Sequence, residues 1–312
     1  MKLALIFPGQ GSQTVGMGRE LAEAFPEARR VFDEVDAALG EKLSELMWNG
    51  PEDQLTLTAN AQPALMAVSL ACVRAAEAQG FKLDSASFVA GHSLGEYSAL
   101  AAAGALTVET TAKLLRIRGE AMQKAVPAGE GGMAAVIGLD HDAVAALCAD
   151  AAEGDVCELA NDNGGGQIVI SGHRGAIERA VALATERGAK RAIPLPVSAP
   201  FHCRLMQPAA DRMAEALAAA EVTAPALPVV ANVLAAPIRD PDEIRWRLVE
   251  QVTGQVRWRE SMEYLAGEGV DTLWEMGSGK VLSGLAKRID RSLKAIPVGT
   301  PADIETALSS QD

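Results

Sequence analysis

Phe88-Val89-Ala90-Gly91-His92-Ser93-Leu94-Gly95-Glu96 is the stretch on which the reading of this chain turns. Phe88 to Ala90 is a short apolar run of the kind that forms a buried strand. Glu96 to Ala103 reads as a buried helix, and between the two lies a tight glycine turn that fits GxSxG. Strand, turn and helix in that order predict an α/β arrangement. The spacing has a steric reason: a nucleophile on a sharp strand-to-helix turn needs small neighbours on both sides, so that the backbone can close beneath it. Such a turn would hold the Ser93 Oγ clear of the sheet. The helix that follows would aim its N-terminal N–H groups at any negative charge developing there. A chain with 29 glycines can also produce GxSxG by accident, and the local setting leaves both readings open.

Working outward, Leu3-Ala4-Leu5-Ile6-Phe7 is another apolar strand candidate, broken at Pro8-Gly9-Gln10-Gly11-Ser12. Helical patterns then run to about residue 80, including Gln62 to Gln79. The pattern changes between Gly132 and Val197. Met133 to Leu139, Val156 to Ala160, Gln167 to Ser171 and Arg191 to Val197 are strand-like, and Asp142 to Ala152 and Ala176 to Arg187 are helical. That order, βαββαβ, predicts a ferredoxin-like unit. The expected organisation is a large α/β-hydrolase-like domain with a parallel-sheet core, formed by residues 1–127 and 199–312, carrying an inserted ferredoxin-like subdomain over 128–198. The boundaries rest on the Pro127 to Gly132 stretch and on Ser198-Ala199-Pro200. In the last third, Cys203 to Ala220 reads as helix, and Leu227 to Asn232 and Thr272 to Glu275 as strands.

The 312 residues, 49% of them hydrophobic, are enough for a sizeable core. Leu3 to Phe7 is too brief for a membrane span or a signal-peptide core, so a soluble cytoplasmic protein is expected. Its four cysteines, Cys72, Cys148, Cys157 and Cys203, form no CxxC pair and point to small buried thiols rather than a disulfide framework or a zinc site. A formal net charge of −13 argues against a nucleic-acid partner. Against that background Lys287, Arg288, Arg291 and Lys294 form one basic stretch, either a solvated helix face or a docking patch for an acidic partner.

A nucleophilic serine needs a base, and the chain has four histidines. His92 adjoins Ser93, so its side chain should point away from the Oγ. His141 falls where the first subdomain strand meets its helix, and His173 in the turn after Ser171. His202 follows the Pro-punctuated run Ile193 to Pro200, where the chain re-enters the large domain and would line an interdomain cleft. A hydrogen-bonded structural histidine is the alternative, and elimination of the other three favours the base.

Phe7-Pro8-Gly9-Gln10-Gly11-Ser12-Gln13, Gly91-His92-Ser93-Leu94-Gly95-Glu96-Tyr97, Arg118-Gly119, Gln167 to Gly172, Pro200-Phe201-His202 and Gly277 to Leu282 occur in order. Together they resemble the malonyl-CoA:acyl carrier protein transacylases of fatty-acid and polyketide synthesis, from about residue 3 to about residue 290. The resemblance implies that Ser93 attacks the thioester carbonyl while His202 takes and returns the proton. It also implies that the backbone carbonyl of Gln251 holds His202, and that the N–H groups of Gln10 and Leu94 form the oxyanion hole. By the same resemblance Arg118 grips the substrate carboxylate, a task suited to a guanidinium fork. Met122, Asn161 and Phe201 shape the rest of the pocket, with Phe201 of the type associated with malonyl rather than methylmalonyl groups. No cofactor or metal is implied. The implied partners are malonyl-CoA and an acidic holo acyl carrier protein, the latter docking on Lys190, Arg191, Lys287, Arg288 and Arg291, with the chain acting as a monomer.

Two further patterns fail on spacing. Gly277-Ser278-Gly279-Lys280 is not GxxxxGK[ST], because Trp274 and Val281 fall at required positions. Gly9-Gln10-Gly11 lacks the third glycine of a dinucleotide fingerprint, which would fall at Thr14. The competing functions are a serine esterase or thioesterase and a non-catalytic carrier-binding protein. The first would place its histidine near the chain end, whereas more than a hundred residues follow His202. The second has no use for Ser93, His202 and Arg118.

Overall fold

The structure, a computed structural model, describes residues 1–197 and 199–310. Ser198, the first residue of an expected boundary, and the last two residues lie outside the described ones. Among the described residues the chain forms ten strands: β1 (Leu3–Phe7), β2 (Ala86–Gly91), β3 (Gly131–Ile137), β4 (Cys157–Asp162), β5 (Gln167–His173), β6 (Arg191–Pro194), β7 (Val229–Ala231), β8 (Ala236–Ile238), β9 (Thr272–Met276) and β10 (Lys294–Val298). Six of them build one sheet in the order β10-β9-β1-β2-β7-β8, parallel except for the β7–β8 pair. β1 and β9, each with a strand on both sides, are buried along their whole length, as expected of parallel strands covered on both faces. Leu3, Leu5 and Phe7 face one apolar layer, and Ala4 and Ile6 face the other.

The first layer contains the long helix Thr58–Ala78, whose residues from Ala61 to Val73 are all buried. It packs against the helix Val108–Lys124 at a close crossing. A Cβ on Gly119 would lie 2.6 Å from the Ala59 Cα and 2.7 Å from the Thr58 oxygen, so the two backbones meet only because Gly119 has none.

β4, β5, β3 and β6 form a separate antiparallel sheet in that order. The helices His141–Ala152 and Arg174–Glu186 pack on it over a core that includes Val136, Leu147, Ile170 and Ala180. Chain order βαββαβ with this strand order is the ferredoxin-like arrangement. The α/β architecture is thus the expected one, a parallel-sheet core carrying a small antiparallel sheet.

Several elements differ from the sequence reading. β6 ends at Pro194 rather than Val197, because Pro194 and Pro196 lack the N–H that a ladder needs, although Leu195 N still reaches the Met133 oxygen at 2.9 Å. β8 and β10 were not expected; β10 carries Pro297 and lies at the sheet edge, where a missing donor is tolerated. His173 closes β5 rather than lying in a turn, and its Nδ1 accepts from Val156 N at 2.9 Å. The basic stretch is not one helix face: Lys287 and Arg288 end the helix Val281–Ile289, Arg291 lies in the turn, and Lys294 opens β10. All four cysteines are free and buried. No described helix is long and apolar enough to cross a membrane.

The Gly277 to Lys280 turn also shows why it cannot cradle a phosphate. The Glu275 carboxylate, fully buried, accepts from Leu282 N at 2.9 Å and Ser283 N at 2.7 Å. A carboxylate already occupies the N-terminus where an anion would bind.

Candidate active site

Ser93 stands between β2 and the helix Leu94–Ala102 with φ 55° and ψ −113°. That is a strained conformation for a residue with a side chain, and it lifts the Oγ away from the sheet. The flanking glycines are required. A Cβ on Gly91 would meet the Gly95 carbonyl at 1.9 Å, and one on Gly95 would lie 2.3 Å from the Phe7 oxygen. The turn is therefore clamped onto the end of β1, and the Pro8-Gly9-Gln10 loop passes directly beside it.

His202, also at positive φ, is buried and reaches Ser93: its Nε2 lies 2.8 Å from the Oγ. The other ring nitrogen, Nδ1, lies 2.9 Å from the Gln251 carbonyl and 3.2 Å from that of Gly254. Two carbonyls can only accept, so Nδ1 carries the proton and Nε2 is the free base facing the hydroxyl. Burial lowers the imidazole's proton affinity, and the positive charge of Arg118 lowers it further, to a pKa of about 3. The ring is neutral at every ordinary pH.

Arg118 is 1% exposed, and among the described residues it forms no ion pair. Its Nη1 donates to Gln62 Oε1 at 2.7 Å, and its Nη2 to Gln251 Oε1 at 2.8 Å and Ser93 Oγ at 3.2 Å. The guanidinium carbon lies 5.7 Å from the centre of the Tyr97 ring. Burial lowers its pKa, yet an arginine stays charged in such settings. A buried cation satisfied only by neutral groups is an electrostatic site prepared for an anion.

Ser93, Arg118 and His202 line a cavity of about 390 Å³, and so do Gln10, Leu94, Met122, Asn161 and Phe201. Leu94 is the first residue of its helix, so its N–H has no partner four residues back and is available to the cavity. Met133 of β3, with Leu195 and Val197 just past the end of β6, completes an apolar wall. Two larger surface clefts, of about 740 and 660 Å³, do not reach Ser93. Gln251 stands just behind the cavity. The structure thus brings together every residue that the sequence reading placed in the site.

The five basic residues are all exposed. Two of them approach one loop: Lys190 lays its stem against Gly138 and Arg288 against Gly165, while Gly138 N donates to the Gly166 oxygen at 2.8 Å. Lys190, just before β6, and Arg288, on the helix Val281–Ile289, therefore flank the Gly164–Gly166 loop. Just before that loop, Asn163 Oδ1 meets His92 Nε2 at 2.9 Å, which holds the His92 ring away from the Ser93 Oγ.

Four participants were given no role by the sequence. Asn232 Oδ1 accepts from Ser93 N at 2.8 Å, and its Nδ2 donates to the Gly91 oxygen at 2.7 Å. Gln62 Nε2 donates to Thr58 Oγ1 at 3.0 Å, and Thr58 donates to Gln10 Oε1 at 2.8 Å, a chain from Arg118 to the Gln10 loop. Glu96, fully buried, accepts from Gln251 Nε2 at 2.8 Å and Asn232 N at 3.1 Å. Asn232 falls in the expected 227–232 strand, Gln62 in a helical run and Glu96 three residues past the serine; in sequence they resemble ordinary polar positions.

Residues 4–263 match the family model of the acyl transferase domain. The chain is 49% identical over 310 residues to the malonyl CoA-acyl carrier protein transacylase of Bacillus subtilis, covering 99% of this chain and 97% of that one. Among solved structures, the acyl-carrier-protein-S-malonyltransferase of Bartonella henselae superposes with a TM-score of 0.98 at 58% identity, over 99% of each chain. A malonyl-transacylase solved in complex with its type II polyketide acyl-carrier protein superposes with a TM-score of 0.97 at 44% identity, over 99% of this chain and 100% of that one. Near-complete coverage at such identity leaves one conclusion: the chain is an acyltransferase and belongs to the malonyl CoA-acyl carrier protein transacylases of the acyl transferase domain family.

Proposed function

We propose that this enzyme moves a malonyl group from malonyl-CoA to the phosphopantetheine thiol of an acyl carrier protein through a malonyl ester on Ser93, supplying fatty-acid or polyketide elongation. One observation carries the reading: Ser93 Oγ lies 2.8 Å from a neutral imidazole nitrogen and 3.2 Å from a buried guanidinium. A base and a carboxylate receptor on one hydroxyl suit an acyl donor that ends in a carboxylate.

His202 Nε2 takes the Oγ proton as Oγ bonds to the thioester carbonyl carbon. The oxyanion is met by the N–H groups of Gln10 and Leu94. The C–S bond then breaks, and His202 returns the proton to the CoA sulfur. In the second half the carrier thiol gives its proton to His202 and attacks the ester carbonyl, and Ser93 leaves with that proton restored. Arg118 holds the malonyl carboxylate by two parallel hydrogen bonds, keeping the acyl carbon in one place through both halves. Acetyl would leave that cation unmatched.

Residues 1–127 and 199–312 would form the catalytic domain, with 128–198 as an insertion that closes the cleft. Lys190, Arg191, Lys287, Arg288 and Arg291 would receive the acidic carrier, and the enzyme would act as a monomer. The relative solved with its carrier protein supports the choice of partner.

The test is the intact mass of the protein after brief mixing with malonyl-CoA or acetyl-CoA, beside Ser93→Ala. A malonyl adduct on the wild type, absent from the variant and weak with acetyl, is expected. Free CoA without an adduct would identify a hydrolase; neither would leave a binding protein.

A further inference from the structure

Glu96 is a buried carboxylate that the transfer chemistry above does not use. It is 1% exposed on a helix otherwise packed with Leu94, Tyr97, Leu100 and small residues, and among the described residues no cation forms an ion pair with it. Burying a carboxylate without a partner cation is costly, so a position needing only bulk would hold an apolar side chain. Burial pushes the Glu96 carboxyl up to about 7, against the pull of the Gln251 and Asn232 hydrogen bonds and the Arg118 charge. Facing it are Arg118 from the helix Val108–Lys124 and Tyr97 from its own helix.

Its two partners are the two residues that hold the Ser93 main chain. Asn232 takes the Ser93 N–H, and Gln251 Nε2 donates to the Ser93 carbonyl at 3.0 Å. Glu96 Oε2 joins them, accepting from Gln251 Nε2 and Asn232 N. It also decides which way the Gln251 amide points. In the observed orientation, Nε2 faces two acceptors, Ser93 O and Glu96, and Oε1 faces the donor Arg118 Nη2. A flipped amide would set acceptor against acceptor on one side and donor against donor on the other. Gln251 is also the residue whose carbonyl orients His202.

We propose that Glu96 is the positioning residue of this centre, fixing Gln251 and Asn232 so that the Ser93 backbone, His202 and the Arg118 guanidinium keep their relative places. This inference rests on the malonyl-transfer reading. It assigns Glu96 no contact with substrate; it acts through Gln251, and so bears most on the step that needs Arg118 in place.

The test compares Glu96→Gln, Glu96→Asp and Glu96→Ala with the wild type in single-turnover acylation by malonyl-CoA and by acetyl-CoA, with melting temperatures alongside. Gln keeps an acceptor oxygen at full length, whereas Asp keeps the charge but withdraws it by one methylene. Glu96→Gln should stay within about fivefold of wild type on malonyl-CoA. Glu96→Asp and Glu96→Ala should fall at least about tenfold and lose most of the preference for malonyl over acetyl, since a loosened Gln251 frees Arg118. If Ala does not fold, the Gln and Asp pair decides. Wild-type rates in Glu96→Asp, or equal losses on both acyl groups in every variant, would overturn the inference. A wild type that forms no malonyl adduct would instead remove the transfer reading itself.

Discussion

His202 Nδ1 donates to the main-chain carbonyl of Gln251 at 2.9 Å, so the base opposite Ser93 is oriented by backbone and not by a carboxylate. A carboxylate there would raise the imidazole's proton affinity. Burial and the nearby Arg118 charge lower it by more than the two carbonyls raise it, which sets how the enzyme should respond to acid.

With His202 at about 3, acylation of Ser93 should hold its rate from neutral pH down to roughly pH 4 and fall only below that. Stopped mixing with malonyl-CoA across this range, in Glu96→Gln to remove the other carboxyl that titrates in the centre, reads the limb directly. Arg118→Ala should move the limb upward, because its charge is the second cause of the depression. A limb near 6.5 in Glu96→Gln would contradict the buried, main-chain-held imidazole.

Arg118→Ala should lower kcat/KM for malonyl-CoA by about 100- to 1,000-fold, the worth of two charge-assisted hydrogen bonds in a dry site. Its effect on acetyl-CoA should be much smaller. Arg118→Lys should not restore malonyl transfer, since one ammonium cannot span Gln62, Gln251 and a carboxylate as the fork does. Equal losses on both substrates would show that Arg118 serves the scaffold rather than the carboxylate.

Gly119→Ala tests the helix crossing beneath the site. The added methyl would press on the Thr58 oxygen and Ala59 Cα, at a cost of about 1–3 kcal/mol for an overpacked contact. It would also move Arg118 relative to Gln62. A lowered melting temperature together with a selective fall in malonyl kcat/KM is expected; a variant with wild-type melting would show that the helices separate freely.

Stability should carry the mark of Glu96. Its folded pKa lies above its ordinary value of 4.5, at about 7, so between those limits the native state holds more protons than the unfolded one. The Glu96 contribution therefore worsens as pH rises through that window, by about 3 kcal/mol in all. Glu96→Gln should gain stability relative to wild type by that amount between pH 4 and pH 8, measured by urea unfolding at each pH. A constant difference would mean that the carboxyl titrates as it does in water.

The split between what was legible and what was not follows the reach of each signal. Local patterns read well: GxSxG between an apolar strand and a helix became β2, the elbow and the helix Leu94–Ala102, and the βαββαβ order became the four-stranded sheet. Prolines blurred what they touched, shortening β6 and hiding β10. Charge runs misled, because Lys287 to Lys294 spans a helix end, a turn and a strand rather than one face.

By itself the sequence determined which residues could supply chemistry: a serine at the one turn built to expose it, a histidine left by elimination, and an arginine singled out by resemblance. Residue type and near-neighbour spacing are local properties, and a strained turn between two glycines is written into the chain. Only the tertiary structure decided that Ser93 is held from both sides by Asn232 and Gln251, 139 and 158 residues away in sequence. It also left Arg118 to neutral partners and buried Glu96 behind them. The reason is that a hydrogen bond between distant residues has no periodicity. It exists only once the sheet and its helices have packed, and the same packing makes an unpaired polar group too costly to leave.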